Sequence, residues 1–536
     1  RGRTGGAATA RPRADLPLEE RIARAVVEGS KTGLEDDLGA ALADPRWPSP
    51  LDVINGPLMA GMNEVGRLFN DNQLIVAEVL QSAEVMKAAV SYLEPHMEKK
   101  ADDSGRGKVL LATVKGDVHD IGKNLVDIVL SNNGFTVVNL GIKVPSEQLI
   151  QAVREHKPDI IGLSGLLVKS AQQMVLTAGD LSAVGIDTPL LVGGAALTRR
   201  FTHRKIAKAY GGLCTYAKDA MHGLKLVERL TDRAQRPDLE REVADLITAD
   251  DQETAMETSS TGEAAAPAVA VVRRDVPVPA PPDLERHATN LDLDKVWAYL
   301  NPQMIYGKHL GLKGSVRQLE AEGDAKFLKL KAVLDGLKEE ARQGAMKARA
   351  VWRFFPAKAE GNRVTLLDPE TGDPAAPAAA WDFPRQSRNG GLCLADYVLD
   401  GDHVALFVTT AGEGVRERVE EWKAKGEYLK SHAFAALALE TAEAAAEYLH
   451  DCLRREWGFP DSPELVLQDK LSARYRGKRY SFGYPACPDL AFQRELFRAL
   501  QPEEIGVHLT EGDMMDPEAS VSALVFHHPD ARYFGV

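Results

Sequence analysis

The spacing of apolar residues changes along the chain. From residue 16 to 100 they recur at helical spacing, which predicts an amphipathic helical bundle. From Gly107 onward, short apolar runs alternate with amphipathic stretches, which predicts a doubly wound parallel sheet with helices on both faces. The predicted strands are 109–114, 136–140, 159–163 and 189–192.

The pattern changes twice more. Residues 236–285 become acidic and then rich in Ala, Pro, Thr and Ser, which predicts a semi-rigid, extended linker. Beyond it, a helical run at 435–454 is mixed with strand-like runs, including 403–409 and 520–526, as in an α+β domain. We therefore predict a multidomain α/β protein: a four-helix-type cap at 1–104, a Rossmann-like (flavodoxin-like) domain at 105–235, the linker at 236–285 and an α+β domain at 286–536.

Composition narrows the functional class. A chain of 536 residues is too long for one hydrophobic core. No run approaches the roughly 20 consecutive apolar residues of a membrane span, and a net charge of −13 disfavours a nucleic-acid binder. The four cysteines lie far apart without zinc-site spacing, and no secretory leader is evident, so we expect a cytoplasmic protein. Because the sequence starts without methionine, we expect a piece of a longer chain.

A histidine loop follows the first predicted strand. In an open α/β sheet, ligands lie beyond the carboxyl ends of the strands, so His119 is expected to project into a binding crevice. A neutral imidazole binds metal through one nitrogen when an acceptor holds the other, and Asp117 is the candidate acceptor. This motif alone fits equally well with a helix cap. Ser164, Gly193 and Gly194, at the ends of later strands, favour the ligand interpretation.

The order D-x-H-x-x-G, S-x-L, G-G behind a helical bundle resembles the cobalamin-binding domains of the methionine synthase family. The resemblance implies that His119 is the lower axial ligand of cobalt, with Asp117 and Ser170 as its relay, and that the cofactor tail passes Gly122. The other implied cofactor contacts are Gly116, Val118, Asp120, Ser164, Val168, Gly193, Gly194 and Ala220. Val168-Lys169-Ser170 departs from the Thr-Pro-Ser of many relatives, which removes a hydroxyl at Val168.

The same resemblance extends to the helical bundle, at residues 61–69 and 85–95. It implies that Asn55, Phe69 and Val76 lie at the cofactor, with the two apolar side chains covering its methyl-bearing face. A dry cover would shield the reactive bond from water. Read without the histidine loop, the sequence of the bundle favours ordinary core packing.

Near the C-terminus, Arg479-Tyr-Ser-Phe-Gly-Tyr-Pro-Ala-Cys-Pro resembles the R-x-x-x-G-Y-P-A-C-P segment of the family's reactivation domain, which binds S-adenosylmethionine. A guanidinium suits the ligand's carboxylate, and aromatic rings suit its adenine and sulfonium. The residues implied are Asn301, Glu443, Arg479, Tyr484, Tyr533 and Phe534. Asn301 replaces an aspartate of relatives, so it supplies no charge and implies weaker binding. Cys487 is expected to be a buried apolar residue.

The resemblance implies a methyltransferase. Methylcobalamin would give its methyl group to homocysteine and be recharged from methyltetrahydrofolate by domains absent from this chain. A flavodoxin-like electron donor and S-adenosylmethionine would restore inactive cobalt(II), so this segment is expected to support reactivation only. Two alternatives remain open at this point: a cobalamin-binding sensor or corrinoid carrier, and a metal-free flavodoxin-like signalling protein.

Overall fold

The first domain is a bundle of helices that each bury one apolar face. The computed structural model describes residues 12–97, 106–258, 272–386 and 391–534. Gly61 lets two helices approach closely, because a Cβ there would lie 2.7 Å from the carbonyl oxygen of Ala23. The predicted bundle is confirmed, with helices α1 (Leu18–Glu28), α2 (Leu34–Leu42), α3 (Pro50–Val53), α4 (Met59–Asn70) and α5 (Val76–Leu93).

The second domain is a five-stranded parallel sheet in the order β2-β1-β3-β4-β5, the flavodoxin-like order, which confirms the predicted fold class. Its strands are β1 (Lys108–Thr113), β2 (Thr136–Asn139), β3 (Ile160–Ser164), β4 (Leu190–Gly193) and β5 (Cys214–Tyr216). Its helices are α6 (Ile121–Ser131), α7 (Ser146–His156), α8 (Val168–Ala183), α9 (Arg199–Phe201), α10 (Lys208–Tyr210) and α11 (Ala220–Thr231). The sequence pattern missed β5, because three residues are too few to show a period.

The prediction of an extended linker is wrong for its first half. Residues Arg236–Thr258 form helix α12. The only proline of this stretch, Pro237, lies in the first turn, where its missing N–H is tolerated, and the following residues are mostly helix formers. Leu239 and Val243 are buried in the same apolar cluster as the helical bundle. The burial of these two side chains therefore holds α12 against the helical bundle, although the acidic composition of the segment suggested an extended linker.

The third domain is an antiparallel sheet with a long helix against it, as predicted for an α+β domain. The sheet runs β11-β14-β10-β7-β8-β9, with β6 also paired to β7. Its strands are β6 (His287–Leu291), β7 (Ala348–Glu360), β8 (Arg363–Leu366), β9 (Ala379–Asp382), β10 (His403–Thr410), β11 (Lys478–Tyr480) and β14 (Ser520–Phe526), and β12 (His508–Leu509) pairs separately with β13 (Met515–Asp516).

The helices of this domain are α13 (Leu293–Trp297), α14 (Val316–Glu322), α15 (Ala325–Glu340), α16 (Val415–Ala424), α17 (Tyr428–Glu456), α18 (Leu467–Leu471) and α19 (Gln493–Leu500). The long helix α17 packs on β10, β7 and β14, and its buried residues include seven alanines. Among the residues that the structure describes, no helix combines the length and apolarity needed to cross a membrane.

The third domain packs directly on the other two. Helix α17 contacts both α5 and α6, and one apolar cluster includes Leu80 and Ala83 of the bundle together with residues of the third domain. The approach is close at Gly311, where a Cβ would lie 2.8 Å from the backbone nitrogen of Val76. Helix α5 therefore lies against the third domain.

We predict that Leu239→Ala lowers the free energy of unfolding by about 2–4 kcal/mol, because it empties a buried leucine site. The matched control is Leu246→Ala in the same helix, since Leu246 is 37% exposed and its truncation should change stability little. Chemical denaturation followed by circular dichroism measures both. Equal effects of the two substitutions would contradict the docking of α12.

Candidate functional site

The loop after β1 places the ring of His119 beside the carboxylate of Asp117, and each oxygen of that carboxylate accepts two hydrogen bonds. Asp117 is fully buried. Its Oδ1 accepts hydrogen bonds from the backbone nitrogen of His119 at 2.9 Å and from the ring Nδ1 at 2.7 Å. Its Oδ2 accepts from the backbone nitrogen of Leu166 at 2.8 Å and from Oγ of Ser170 at 2.5 Å. Since Nδ1 donates to a carboxylate, Nε2 of His119 is left for a ligand.

Asp117 and His119 each shift the pKa of the other toward its charged form. Burial alone would raise the pKa of Asp117, but hydrogen bonds from His119 and Ser170 hold it below its ordinary value. Burial would lower the pKa of His119, but Asp117 and Glu518 raise it above its ordinary value. Burial raises the pKa of Glu518 itself to about 7. Without a competing ligand, the ring of His119 therefore binds a proton more readily than a free imidazole does.

His119 lies in the wall of a cavity of about 740 Å³ between the second and third domains. Gly122 also lines it, and no atom lies within 4 Å of the place where a Cβ of Gly122 would be. Gly194 lies against the residue that follows β3, because a Cβ there would be 1.7 Å from the carbonyl oxygen of Gly165. The wall from the second domain includes His119, Ile121, Gly122, Ser164, Leu166 and Gly194. The carboxyl ends of the strands thus line an open space beside His119.

The opposite wall of the cavity is charged. Nη2 of Arg479 lies 3.6 Å from Oε2 of Glu443 and 3.5 Å from Oε2 of Glu447. Nε of Arg479 and Oε1 of Glu447 are buried without a partner. Burial opposes the charge of Arg479, but the two glutamates raise its pKa above the ordinary value. Tyr484, 63% exposed, adds an aromatic surface to the same wall.

Asn301 lines the cavity, but its carbonyl is already engaged. Oδ1 accepts a hydrogen bond from the backbone nitrogen of Gln303 at 3.1 Å, at the start of a π-helical turn, Gln303–His309. Nearby, Nε2 of His309 lies 2.9 Å from Oε1 of the buried Glu440. Glu440, rather than Asn301, therefore adds negative charge to this part of the wall.

Comparison with known proteins identifies each domain. Residues 18–94 and residues 107–225 each match a family model described as a B12 binding domain. Residues 313–536 match the model described as vitamin B12 dependent methionine synthase, activation domain. The chain thus carries two B12 binding domains and a methionine synthase activation domain. The histidine loop lies in a B12 binding domain, and Arg479 lies in the activation domain, as the resemblance predicted.

Two methionine synthases are similar to nearly the whole chain. The methionine synthase of Mycobacterium tuberculosis (strain ATCC 25618 / H37Rv) is 38% identical over 566 aligned positions, which cover 98% of this chain and 46% of the relative. The methionine synthase of Mycobacterium leprae (strain TN) is 37% identical over 571, again 98% of this chain and 46% of the relative. The chain therefore spans about half the length of these relatives.

Among solved structures, a crystal structure of the MetH reactivation domain bound to AdoHcy matches 50% of this chain and 85% of that chain. The TM-score is 0.46 at 23% sequence identity. A methanol:cobalamin methyltransferase complex, MtaBC, from Methanosarcina barkeri matches 40% of this chain and 79% of that chain, with a TM-score of 0.36 at 30% identity.

The structure brings some of the residues predicted for the two cofactor sites together and separates others. His119, Gly122, Ser164, Gly194, Asn301, Glu443, Arg479 and Tyr484 line one cavity. Asp117 and Ser170 lie behind His119, and Gly116, Val118 and Asp120 complete its loop. Outside the cavity wall lie Asn55, Phe69, Val76, Val168, Gly193, Ala220, Tyr533 and Phe534.

Three of the residues outside the cavity wall pack against other parts of the protein. Val76 starts α5 and meets Gly311 of the third domain instead of the cavity. Phe534 is buried against Tyr397 and Tyr480 and acts as core. Tyr533 packs edge-on against Tyr480 and is 48% exposed. The structure therefore leaves the predicted ligand contacts of these residues as predictions.

The polar residues of the cavity wall that sequence reasoning did not select include His309, Glu440, Glu447 and Glu518. A signal existed for two of them. Glu440, Glu443 and Glu447 recur at helical spacing, so that they share one face of α17. No pattern marks His309 or Glu518, because each reaches the cavity from a separate loop or turn through tertiary packing.

We predict that Asp117→Asn lowers the pKa of His119 in the cofactor-free protein. The carboxylate stabilises the protonated ring, and an amide supplies no such charge. Because the pKa of His119 is raised in the native protein, this stabilisation is present at low pH and is lost as pH rises through that pKa. A titration of ¹⁵N-histidine signals by NMR measures the shift. An unchanged or higher pKa in the variant would contradict the assigned hydrogen bond.

Proposed function

We propose that this chain is the cobalamin-carrying and reactivating half of a methionine synthase, in which His119 would be the protein residue that binds cobalt. The supporting observation is the hydrogen bond between Nδ1 of His119 and Asp117, at 2.7 Å, on the wall of the cavity. It leaves Nε2, the nitrogen that a metal would bind. Among the described residues, no three His, Cys, Asp or Glu side chains form a metal site, which suits a metal that arrives with its own macrocycle.

The residues of the second domain fit such a cofactor. Cobalamin supplies, when bound, a cobalt atom that can carry a methyl group. Gly122 leaves open space for the cofactor tail, with Ser164, Val168, Gly193 and Ala220 as further contacts of the tail pocket. Asp117 and Ser170 orient the imidazole and take part in its protonation. Gly116, Val118, Asp120 and Gly194 shape the loop and floor that receive the ring.

We propose that the third domain binds S-adenosylmethionine at the Arg479 wall. This ligand carries one carboxylate and two positive groups, an ammonium and a sulfonium. Arg479 pairs with the carboxylate, while the glutamates of the same wall, including Glu443, suit the positive groups. Tyr484, Tyr533 and Phe534 offer aromatic surface, and Asn301 lies at the amino end of the ligand. The cavity lets both cofactors meet, because His119 and Arg479 line the same space.

The proposed overall activity is that of a cobalamin-dependent 5-methyltetrahydrofolate–homocysteine S-methyltransferase. Homocysteine and methyltetrahydrofolate would bind on other domains of the full-length enzyme, and a flavodoxin-like donor would supply the electron. The match to an activation domain favours this enzyme over a cobalamin-binding sensor or carrier. The cysteines at 214, 393, 452 and 487 are free, in keeping with a cytoplasmic setting, where thiols stay reduced.

The arrangement of the domains suits reactivation. The third domain lies over the histidine loop, while Asn55, Phe69 and Val76 are outside the cavity. In a second arrangement, we propose, the helical bundle moves over the second domain, so that Phe69 and Val76 cover the methyl-bearing face of the cofactor. One cofactor meets several substrates only if the domains exchange places above it.

We predict that His119→Gly leaves cobalamin bound but without a coordinating nitrogen from the protein. The cavity and tail contacts remain, whereas the axial ligand is gone. Reconstitution with methylcobalamin and a visible spectrum should show a base-off form in the variant and a base-on form in the unchanged chain. His156→Gly is the control, since His156 ends α7 outside the cavity wall. A base-on spectrum in the His119 variant would overturn the assignment.

We predict that Arg479→Gln weakens the binding of S-adenosylmethionine by about tenfold to a hundredfold, because a charge-assisted hydrogen bond contributes about 1.5–3 kcal/mol. Isothermal titration with S-adenosylhomocysteine, which has the same carboxylate, provides a second ligand. Arg476→Gln is the matched control: its guanidinium donates to the backbone oxygen of His527 and does not line the cavity. Equal affinities in the two variants would exclude Arg479 as the carboxylate ligand.

A further inference from the structure

Three lysines surround the histidine loop at the carboxyl ends of adjacent strands. Lys143 follows β2, Lys115 follows β1 and Lys169 follows β3. We call these three the lysine rim. Each side chain is about half exposed, at 41% for Lys143, 47% for Lys115 and 43% for Lys169. Lys115 and Lys143 lie in separate loops and Lys169 lies in the first turn of α8, so only the fold of the second domain brings these charges together.

One short loop of the third domain meets all three lysines. This acidic loop, residues 510–518, carries Glu511, Asp513, Asp516 and Glu518. Nζ of Lys143 donates to Oδ2 of Asp516 at 2.6 Å, and Nζ of Lys169 donates to Oδ2 of Asp513 at 2.7 Å. Nζ of Lys115 lies 3.1 Å from Oε2 of Glu511. Each lysine of the rim thus has its own carboxylate partner in the acidic loop.

The acidic loop is held in shape by its own domain. Asp513 is 2% exposed, and its carboxylate also accepts from Nε of Arg494 at 2.6 Å. Asp516 accepts from Nη2 of Arg416 at 2.9 Å. The backbone nitrogen of Thr510 donates to the carbonyl of Met514 at 2.8 Å, which closes the loop. The carboxylates are therefore positioned before they meet the lysines, which reduces the entropy lost on contact.

Two glycines allow the backbones to touch at the centre of this contact. A Cβ at Gly512 would lie 2.9 Å from the carbonyl oxygen of Gly116, and one at Gly116 would lie 2.8 Å from Cα of Gly512. Thr510 donates from Oγ1 to the same Gly116 carbonyl at 2.8 Å. The backbone nitrogen of Asp120 donates to Glu518 at 3.4 Å. The acidic loop thus contacts the loop that carries His119 through close backbone packing as well as through ion pairs.

We propose that the lysine rim and Gly116 form a docking surface for the acidic loop, and that this contact holds the third domain over the histidine loop. The docking is electrostatic at its edges, and its strength falls as salt rises, since the screening length shortens from about 10 Å at 0.1 M to about 3 Å at 1 M.

Hydrogen exchange on the whole chain without any cofactor tests this proposal independently of the proposed function. In the double variant Lys143→Glu, Lys169→Glu, we expect amides in 115–120 and 510–518 to exchange about tenfold faster, the effect of about 1.4 kcal/mol lost from a local opening equilibrium. Raising salt from 0.1 M to 1 M should speed exchange in the same two segments of the unchanged chain. Lys205→Glu is the control, an exposed lysine of the same domain outside the rim.

A second variant separates shape from charge. Gly512→Ala should also speed exchange in both segments, because the three atoms nearest to the added Cβ all belong to Gly116 of the other domain. Gly336→Ala is its control, since a Cβ there would meet no atom within 4 Å. Unchanged exchange at 115–120 and 510–518 in both the lysine and the glycine variants would overturn the docking surface. Exchange that is insensitive to salt would overturn its electrostatic character.

Discussion

The carboxylate of Asp117 is the interaction on which the site depends. It is fully buried and accepts hydrogen bonds from two backbone nitrogens, the Ser170 hydroxyl and the ring of His119. A buried charge with that many donors is stable and cannot rotate freely. It therefore fixes the tautomer and the direction of the imidazole, so that one nitrogen remains for a metal. The parallel sheet places that nitrogen at the carboxyl ends of its strands, next to the open space at Gly122.

The third domain completes the cavity rather than adding a separate site. His119 and Arg479 line the same space, although they belong to different domains. The apolar cluster that unites α5 with the third domain shows that the helical bundle takes part in this arrangement as well. A methyl carrier that must be recharged needs this proximity for a time and must later give it up. Ion pairs made by half-exposed lysines around a close backbone contact suit such a reversible association.

Much of the fold could be predicted from the sequence, because strands β1 to β4 and β10 and β14 have clear apolar runs. The residues around His119 and Arg479 could be named because short motifs carry them. Other features depend on tertiary packing that no local pattern records. Helix α12 is stabilised by burial of Leu239 and Val243, and Glu518 reaches the histidine loop from a segment about 400 positions away in sequence. The positions of Phe69 and Val76 depend on how the domains are arranged, which a sequence pattern does not determine.

The most direct test of the account asks which nitrogen binds cobalt. Electron paramagnetic resonance of the protein loaded with cobalt(II) cobalamin resolves the coupling of the unpaired electron to the axial nitrogen. With ¹⁵N-labelled histidine and unlabelled cofactor, the account predicts that each cobalt line changes from a triplet to a doublet. A triplet that persists after labelling would assign the axial nitrogen to the cofactor's own base, and it would contradict a cobalt ligand at His119.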